Sequence, residues 1–221
     1  MTRCVRPLWS MGVIAMGIQA EKSAQTKEEI VSAFWRLYKM KPINKIKAKD
    51  VADVSGYSRS TLYYYFEDVY MILEYIETTI LQQWEKMLSR ILMERQNIFN
   101  GDLSGLLMQA LPFYEKNNEY IAVLLGPSGD PQFQQKVKDT LREKVFSILE
   151  IPTDEIEPLL LFEGLSSYVL AVLVKCYQEG VSSEVPAGMM QKVVTSNLVN
   201  LVLSYSMNPQ IKQCKECSVV D

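Results

Sequence analysis

The sequence predicts an all-α protein, with a three-helix domain at the N-terminal end and a larger helical domain after it. Apolar residues recur at helical spacing through most of the chain beyond residue 26. The charge also divides the chain. Residues 1–66 hold 11 basic and 5 acidic side chains, a net charge of +6, and the remainder holds 12 and 21, a net charge of −9. With 221 residues and 48% hydrophobic content, the chain can form a small domain joined to a larger one.

The domain boundaries follow from these patterns. The expected parts are an arm, a three-helix domain, a larger helical domain and a tail, at residues 1–24, 25–68, 69–208 and 209–221. The arm contains Arg3, Arg6 and the run LWSMGVIAMGIQA, which imitates a secretory signal but is shorter than the roughly 20 residues of a membrane span. We interpret it as flexible, or as sequence ahead of a true start at Met11 or Met16; a signal peptide is the remaining alternative.

Helix one is predicted to begin at Thr26 and to stop before Pro42. Thr26 can cap a helix together with Glu29, three residues later, and a proline cannot continue a helix. Between these limits the apolar residues at helical spacing are Ile30, Ala33, Phe34, Leu37 and Tyr38.

Two short helices joined at a glycine come next. They are predicted over residues 48–54 and 59–66, with Gly56 where a tight turn needs a positive φ and Ser58 as the cap of the second. This is the helix-turn-helix arrangement, in which the start of the second helix meets base edges in the major groove of DNA. The basic balance of residues 1–66 agrees with a polyanionic partner, although a plain solvated face would also carry such charge.

Three consecutive tyrosines lie in the second of these helices. Neighbouring helical residues point about 100° apart, so Tyr63, Tyr64 and Tyr65 cannot all face one core. On a DNA-reading helix, Tyr64 faces the groove, and the hydroxyls of Tyr63 and Tyr65 donate hydrogen bonds to flanking phosphates. Leu62 and Phe66 then face the protein. A helix end whose tyrosine hydroxyls lie in water is the alternative.

A longer motif surrounds this segment. It runs IVSAFWRLY and then IKAKDVADVSGYSRSTLYYYFEDVYMIL, within residues 26–75. It resembles the DNA-binding domain of the TetR family of bacterial transcription regulators, whose pattern is D-I-A, a turn glycine, S-R-x-T-(F/L)-Y-x-(H/Y)-F and an acidic residue. The matching residues are Asp50, Val51, Ala52, Gly56, Ser58, Arg59, Ser60, Thr61, Leu62, Tyr63, Tyr65, Phe66 and Asp68. The resemblance implies a homodimer in which an effector bound in the C-terminal domain changes the separation of two DNA-reading helices.

Three positions depart from the family pattern. Pro42 stands where most members have glycine, Lys47 where a threonine usually touches phosphate, and Val69 where a lysine usually follows the acidic residue. Nearby lysines can replace that lost phosphate contact, because phosphate attraction depends on nearby charge more than on position. The candidate DNA contacts are Lys45, Lys47, Lys49, Ser58, Arg59, Ser60, Thr61, Tyr63, Tyr64 and Tyr65.

The residue inventory argues against catalysis and metal binding. The chain has no histidine, which removes the commonest general base and the commonest metal ligand. Cys214 and Cys217 form a single C-x-x-C without a second pair, and Cys4 and Cys176 are isolated. We therefore predict no enzymatic activity, no metal site and no cofactor, and we interpret the C-x-x-C as a feature of the tail. Few scattered thiols fit the cytoplasm.

Beyond residue 68 the pattern stays helical. A long helix is predicted over 68–96, and shorter segments are predicted at 103–116, 118–125, 131–149, 154–178 and 187–206, with a loop at GPSGDP. The segment LLLFEGLSSYVLAVLVKC is apolar nearly all round and is interrupted by small residues, which predicts close approach to another helix. A dimer interface with the last helix is one explanation, as the resemblance implies; an intramolecular core is the other. The candidate interface residues are Gly164, Tyr168, Ala171, Val194, Leu198 and Leu201.

A second group of residues suits a binding pocket. Aromatic side chains and adaptable methionines near the middle of the domain favour a small apolar or amphipathic effector, although the same spacing is typical of plain core. The candidates are Trp84, Met87, Met108, Phe113, Tyr114 and Tyr120.

Together these features predict a ligand-responsive, homodimeric repressor that binds a double-stranded DNA operator in the cytoplasm, without a membrane. The alternative is a co-regulator of the same fold that acts through protein partners without binding DNA. Val69 favours that alternative, whereas Arg59, Thr61 and Tyr63 oppose it.

Overall fold

A computed structural model describes residues 9–93, 103–127, 129–194, 201–202 and 204–207. Within these residues the chain forms eight α-helices and one short 3-10 helix at Ile43–Lys45, without a β-strand. The helices are α1 (Trp9–Tyr38), α2 (Ala48–Ser55), α3 (Arg59–Tyr65), α4 (Val69–Met93), α5 (Leu103–Leu124), α6 (Pro131–Leu149), α7 (Ile156–Gln178) and α8 (Glu184–Val194). The predicted all-α class is confirmed.

The chain divides into two compact units, an N-terminal unit of residues 1–76 and a C-terminal unit of residues 77–221. The division falls inside α4, after Ile76, whereas the sequence pattern placed it after residue 68.

Helix α1 begins earlier than predicted, at Trp9, so the described part of the expected arm is helical. Thr26 lies inside the helix, and its hydroxyl donates a hydrogen bond to the carbonyl of Lys22 at 2.9 Å. The prediction that Thr26 caps the helix was therefore wrong. Its hydroxyl instead bonds back to the preceding turn, as serine and threonine do within helices. The predicted end holds, because α1 stops at Tyr38, ahead of Pro42.

The core of the N-terminal unit includes the apolar residues predicted for helix one. The five apolar positions predicted for helix one are buried: Ile30, Ala33, Phe34, Leu37 and Tyr38. Helix α1 packs against α2, and α2 packs against α3. Val51 of α2 and Leu62 of α3 are fully buried, and Phe66 closes the same core. Burial at these positions fixes which face of α3 remains outside.

The turn between α2 and α3 depends on Gly56. This residue has φ 77°, in the left-handed region, and its N–H donates to the carbonyl of Ala52 at 3.0 Å. Residues with a Cβ rarely adopt this conformation, so the turn that orients α3 requires glycine here.

Gly56→Ala is expected to lower the free energy of unfolding of the N-terminal unit by about 1–2 kcal/mol. An added Cβ meets nothing within 4 Å, so the cost comes from backbone conformation and not from a clash. The matched control is Gly188→Ala inside α8, which is equally uncrowded and has no positive φ. There alanine should stabilise the helix by up to about 1 kcal/mol. Urea unfolding followed by circular dichroism measures both changes, and an unshifted midpoint for Gly56→Ala would contradict the expectation.

The C-terminal unit is built around α5 and α7. Helix α5 packs against α7 and α8, and α7 also packs against α6 and α8. The sequence predicted two short helices at 103–116 and 118–125, but the chain forms the single helix α5, with Pro112 in its interior. Helix α6 begins at Pro131, as expected: the Asp130 carboxylate accepts from the N–H of Gln132 at 2.8 Å, and Pro131 takes the first helical position.

Candidate functional site

The first turn of α3 carries a cluster of hydroxyl groups. Ser58 caps the helix, because its Oγ accepts from the N–H of Thr61 at 3.1 Å. The same Oγ lies 2.7 Å from the Oγ of Ser60 and 2.9 Å from the Oγ1 of Thr61. The predicted cap is confirmed, and it gathers three of the candidate DNA contacts at one helix end.

The outward face of α3 is polar and aromatic. Arg59 and Ser60 are exposed, and Tyr63 and Tyr64 are 56% and 79% exposed. Leu62, by contrast, has no exposed surface. The helix therefore presents a cation, hydroxyls and two phenol rings on the side opposite its buried anchor. These are the groups that contact phosphates and base edges in protein–DNA complexes.

Tyr65 differs from its two neighbours. It is partly buried, and its hydroxyl lies 3.1 Å from the Oγ of Ser23 on α1. Its ring also meets the ring of Tyr64 edge to face, with centroids 5.0 Å apart. This contact holds Tyr65 to α1 and supports Tyr64 from the side. In the described structure Tyr65 is thus a positioning residue, while its predicted phosphate contact stays a prediction.

A further contact, which the sequence reading missed, ties the turn before α3 to α1. The hydroxyl of Tyr57 donates to the Glu29 carboxylate at 2.5 Å, and the Gln25 amide donates to the other oxygen at 2.9 Å. The Tyr57 bond, followed by the Gln25 bond, holds the pKa of Glu29 below its usual value. The same bond raises the pKa of Tyr57, so the phenol stays protonated and keeps donating.

The three candidate lysines at the start of α2 are all exposed: Lys45, Lys47 and Lys49. A fourth lysine is engaged nearby, since the Lys41 ammonium lies 2.7 Å from the Asp50 carboxylate. Asp50 also accepts from the backbone N–H of Lys47 at 3.1 Å, which caps α2. The hydrogen bond from Lys41, then that from Lys47, lowers the pKa of Asp50. The ion-pair partner of Asp50 is therefore Lys41 and not one of the three exposed lysines.

The start of α4 explains two of the motif positions. Asp68 caps the helix, because its carboxylate accepts from the N–H of Met71 at 2.9 Å. Val69 is buried in the N-terminal unit, so an apolar residue at this position serves packing. A lysine at position 69 would place its charge in this core, so the packing of this chain accounts for the departure from the family pattern.

The C-terminal unit contains a partly open cavity of about 350 Å³ between α4, α5, α6, α7 and α8. Four of the predicted effector contacts line it: Trp84, Met87, Phe113 and Tyr114. Tyr120 lies outside the lining, and the side chain of Met108 lies outside the described residues. Residue type predicts these candidates, but it does not determine which helix faces meet.

The lining is almost entirely apolar. Its hydroxyl groups come from Tyr114, which donates to the carbonyl of Leu173 at 3.3 Å, and from Ser166, which donates to the carbonyl of Glu163 at 3.1 Å. Burial, with a smaller contribution from Cys176, raises the pKa of Tyr114 and keeps it neutral. An apolar cavity with few polar groups is the usual form of a small-molecule site. Lys138 and Ser166, on α6 and α7, were not predicted.

One face of α7 is exposed and largely apolar. Ile156, Leu160, Gly164, Tyr168 and Ala171 follow at intervals of four, four, four and three residues, and all five are exposed. Such intervals place them in one stripe along the helix, with small residues in its middle. Leu201 is exposed as well, whereas the side chain of Val194 and the whole of Leu198 lie outside the described residues.

By length and composition, α7 is also the described helix that could cross a membrane. Its exposed side carries Glu157, Glu163 and Lys175, charges that are costly to place in lipid. A buried face that includes Phe162 and Val172 packs instead within the C-terminal unit. Core helices of globular proteins pass the same length test, so the predicted absence of a membrane stays a prediction.

Solved structures with a fold similar to that of this chain include two transcriptional regulators. A TetR transcriptional regulator from Streptococcus agalactiae 2603V has 23% identity and a TM-score of 0.54, over 86% of this chain and 97% of that chain. A TetR-family transcriptional regulator from Streptomyces coelicolor has 13% identity and a TM-score of 0.58, over 87% and 89%. No family model and no curated protein matches the sequence. The chain thus has the TetR-family fold, as its motif predicted.

Proposed function

We propose that this chain is a TetR-family transcription regulator that binds double-stranded DNA as a homodimer and responds to a small apolar or amphipathic effector. The observation that carries the proposal is the outward face of α3, where Arg59, Ser60 and Tyr64 are exposed above the buried Leu62. A helix anchored in this way can enter a major groove without disturbing its own domain. The cytoplasm is the expected location, and repression the expected effect on transcription.

The exposed stripe on α7 supports the proposed dimer. DNA recognition by this motif uses paired half-sites, so two α3 helices must be held about one DNA turn, roughly 34–36 Å, apart. The exposed apolar stripe from Ile156 to Ala171 is a surface that a second copy of the chain can bury by the hydrophobic effect. An effector in the cavity acts by favouring one arrangement of that dimer over another.

Footprinting of the purified protein on the intergenic DNA beside its own gene tests DNA binding. The expected result is a protected site with two half-sites of related sequence. Random DNA of equal length serves as the control, and competition at increasing salt separates specific from general binding. Binding to no DNA beyond the random level would favour the co-regulator that acts through protein partners.

Lys45→Ala and Lys47→Ala are expected to weaken binding to specific and random DNA alike. Both side chains are exposed beside the helix-turn-helix, where they suit phosphate contacts, which carry no sequence information. Each substitution should reduce the slope of log affinity against log salt by about 1. Titrations at four or more salt concentrations measure the slope. A change in base preference with an unchanged slope would mean that these lysines read bases.

A further inference from the structure

The cavity wall is mostly apolar, and its one charged group among the described residues lies where α6 and α7 meet. Of the described residues that line the cavity, Lys138 is the one that carries a charge. Its ammonium group forms an ion pair with Glu163 and a hydrogen bond with the Oγ of Ser167 at 2.9 Å. The lysine side chain is 17% exposed, whereas the glutamate side chain is 47% exposed.

This difference in exposure makes the ion pair exchangeable. The ammonium group of a lysine side chain that is mostly buried benefits from a counter-charge, because removing charge from water is costly. Glu163, nearly half exposed, can turn into water at little cost. Glu163 and Ser167 do not themselves line the cavity, so an anion in the cavity that reaches the Lys138 ammonium group can replace Glu163 or share Lys138 with it. Of the three N–H donors of a lysine, Glu163 and Ser167 occupy two, which leaves a third for a ligand.

The other polar groups of the wall are the hydroxyls of Ser166 and Tyr114 and the indole N–H of Trp84, and none of them carries a charge. The hydroxyls of Ser166 and Tyr114 already donate to backbone carbonyls within the unit. The oxygen atoms of these two hydroxyls can still accept a hydrogen bond, but their lone pairs repel an anion slightly. Lys138 is thus the feature that can select the charge of the ligand, while the apolar walls select its body.

We propose that the cavity binds an amphipathic organic acid, with its single acidic group on Lys138 and its apolar body between α4, α5 and α7. The proposal rests on the proposed effector role of the cavity and names the chemical class of the effector. A volume of about 350 Å³ is near the lower end of the roughly 300–1,000 Å³ typical of ligand sites, so the body is of modest size. A cation would meet Lys138 unfavourably, and a neutral molecule would leave the Lys138–Glu163 pair as it is.

Calorimetric titration of the full chain with octanoate, 1-octanol and octylamine tests the charge preference at one chain length. All three are used below the concentration at which they aggregate, and no DNA is present. Octanoate is expected to bind about tenfold more tightly than octanol, or better, because it adds a charge-assisted hydrogen bond in an apolar site. Octylamine is expected to bind weakest.

Three variants assign the preference to the ion pair. Lys138→Met keeps the length and apolar stem of the side chain but removes its charge. The affinity for octanol should therefore be unchanged, and the affinity for octanoate should fall to that for octanol. Glu163→Gln removes the internal competitor, so octanoate should bind several-fold more tightly. Lys175→Met is the matched control: Lys175 is exposed on α7, pairs with Glu179 at 2.5 Å and does not line the cavity, so its loss should change neither ligand.

Equal affinity of the wild type for octanoate and octanol would overturn the proposal, as would no binding of any of the three. A preference for octanoate that survives in Lys138→Met would overturn it as well. Circular dichroism checks that Lys138→Met is folded; should it not fold, Glu163→Gln decides, and an unchanged octanoate affinity there counts against the proposal. Because these titrations contain no DNA, their outcome is separate from that of the footprinting experiment.

Discussion

The Ala171→Arg variant is expected to be a folded monomer that binds operator DNA far more weakly than the wild type. Ala171 is exposed on α7, so an arginine there meets water in the single chain and should leave the helical content unchanged. In a twofold dimer across this face the substitution occurs twice, and both charges lose water. An unpaired buried charge costs several kcal/mol, enough to shift micromolar dimers to monomers. A monomer has one α3 helix and loses the paired half-site contacts.

Light scattering, circular dichroism and DNA titration on the same sample distinguish the possible results. Ser147→Arg is the control, because it places the same charge on an exposed position of α6 in the same unit. That variant should remain dimeric and should bind operator DNA as the wild type does. A dimeric Ala171→Arg protein would show that the interface lies elsewhere, and an unfolded one would show that this face is needed within the chain.

Local signals in the sequence were sufficient for α2 and α3. The conformation of Gly56 and the cap at Ser58 involve atoms within a few residues, so residue type alone predicts them. Where a local signal had a competitor, prediction failed. Thr26 could cap a helix, but the residues before it form helix as well, and α1 continues back to Trp9.

Contacts between distant residues could not be predicted in this way. Ser23 contacts Tyr65, 42 residues later in the sequence, and Lys138 contacts Glu163, 25 residues later. The periodicity of apolar residues does not predict such pairs. The same limit applies to the cavity. Side-chain chemistry predicts Trp84, Tyr114 and Tyr120 equally, but Trp84 and Tyr114 line the cavity and Tyr120 does not. Which helix faces meet is decided by packing over the whole unit.

Arg59→Ala and Tyr64→Ala are each expected to weaken binding to the operator by about 1–3 kcal/mol and to relax base preference. Both side chains project from the exposed face of α3, and Tyr64 is the more exposed of its two outward tyrosines. Neither is buried, so neither substitution should open the core formed around Leu62. The loss should therefore appear in DNA binding and not in the free energy of unfolding.

The ratio of operator affinity to random-DNA affinity is the quantity that decides this prediction. Loss of a base contact lowers the ratio, whereas loss of a phosphate contact lowers both affinities and leaves the ratio unchanged. Tyr70→Ala is the matched control, because Tyr70 is an exposed tyrosine of the same unit on α4, outside the face of α3. Its ratio should stay at the wild-type value. If Tyr64→Ala also keeps that ratio, Tyr64 does not read bases, and its phenol serves a phosphate or the packing of Tyr65.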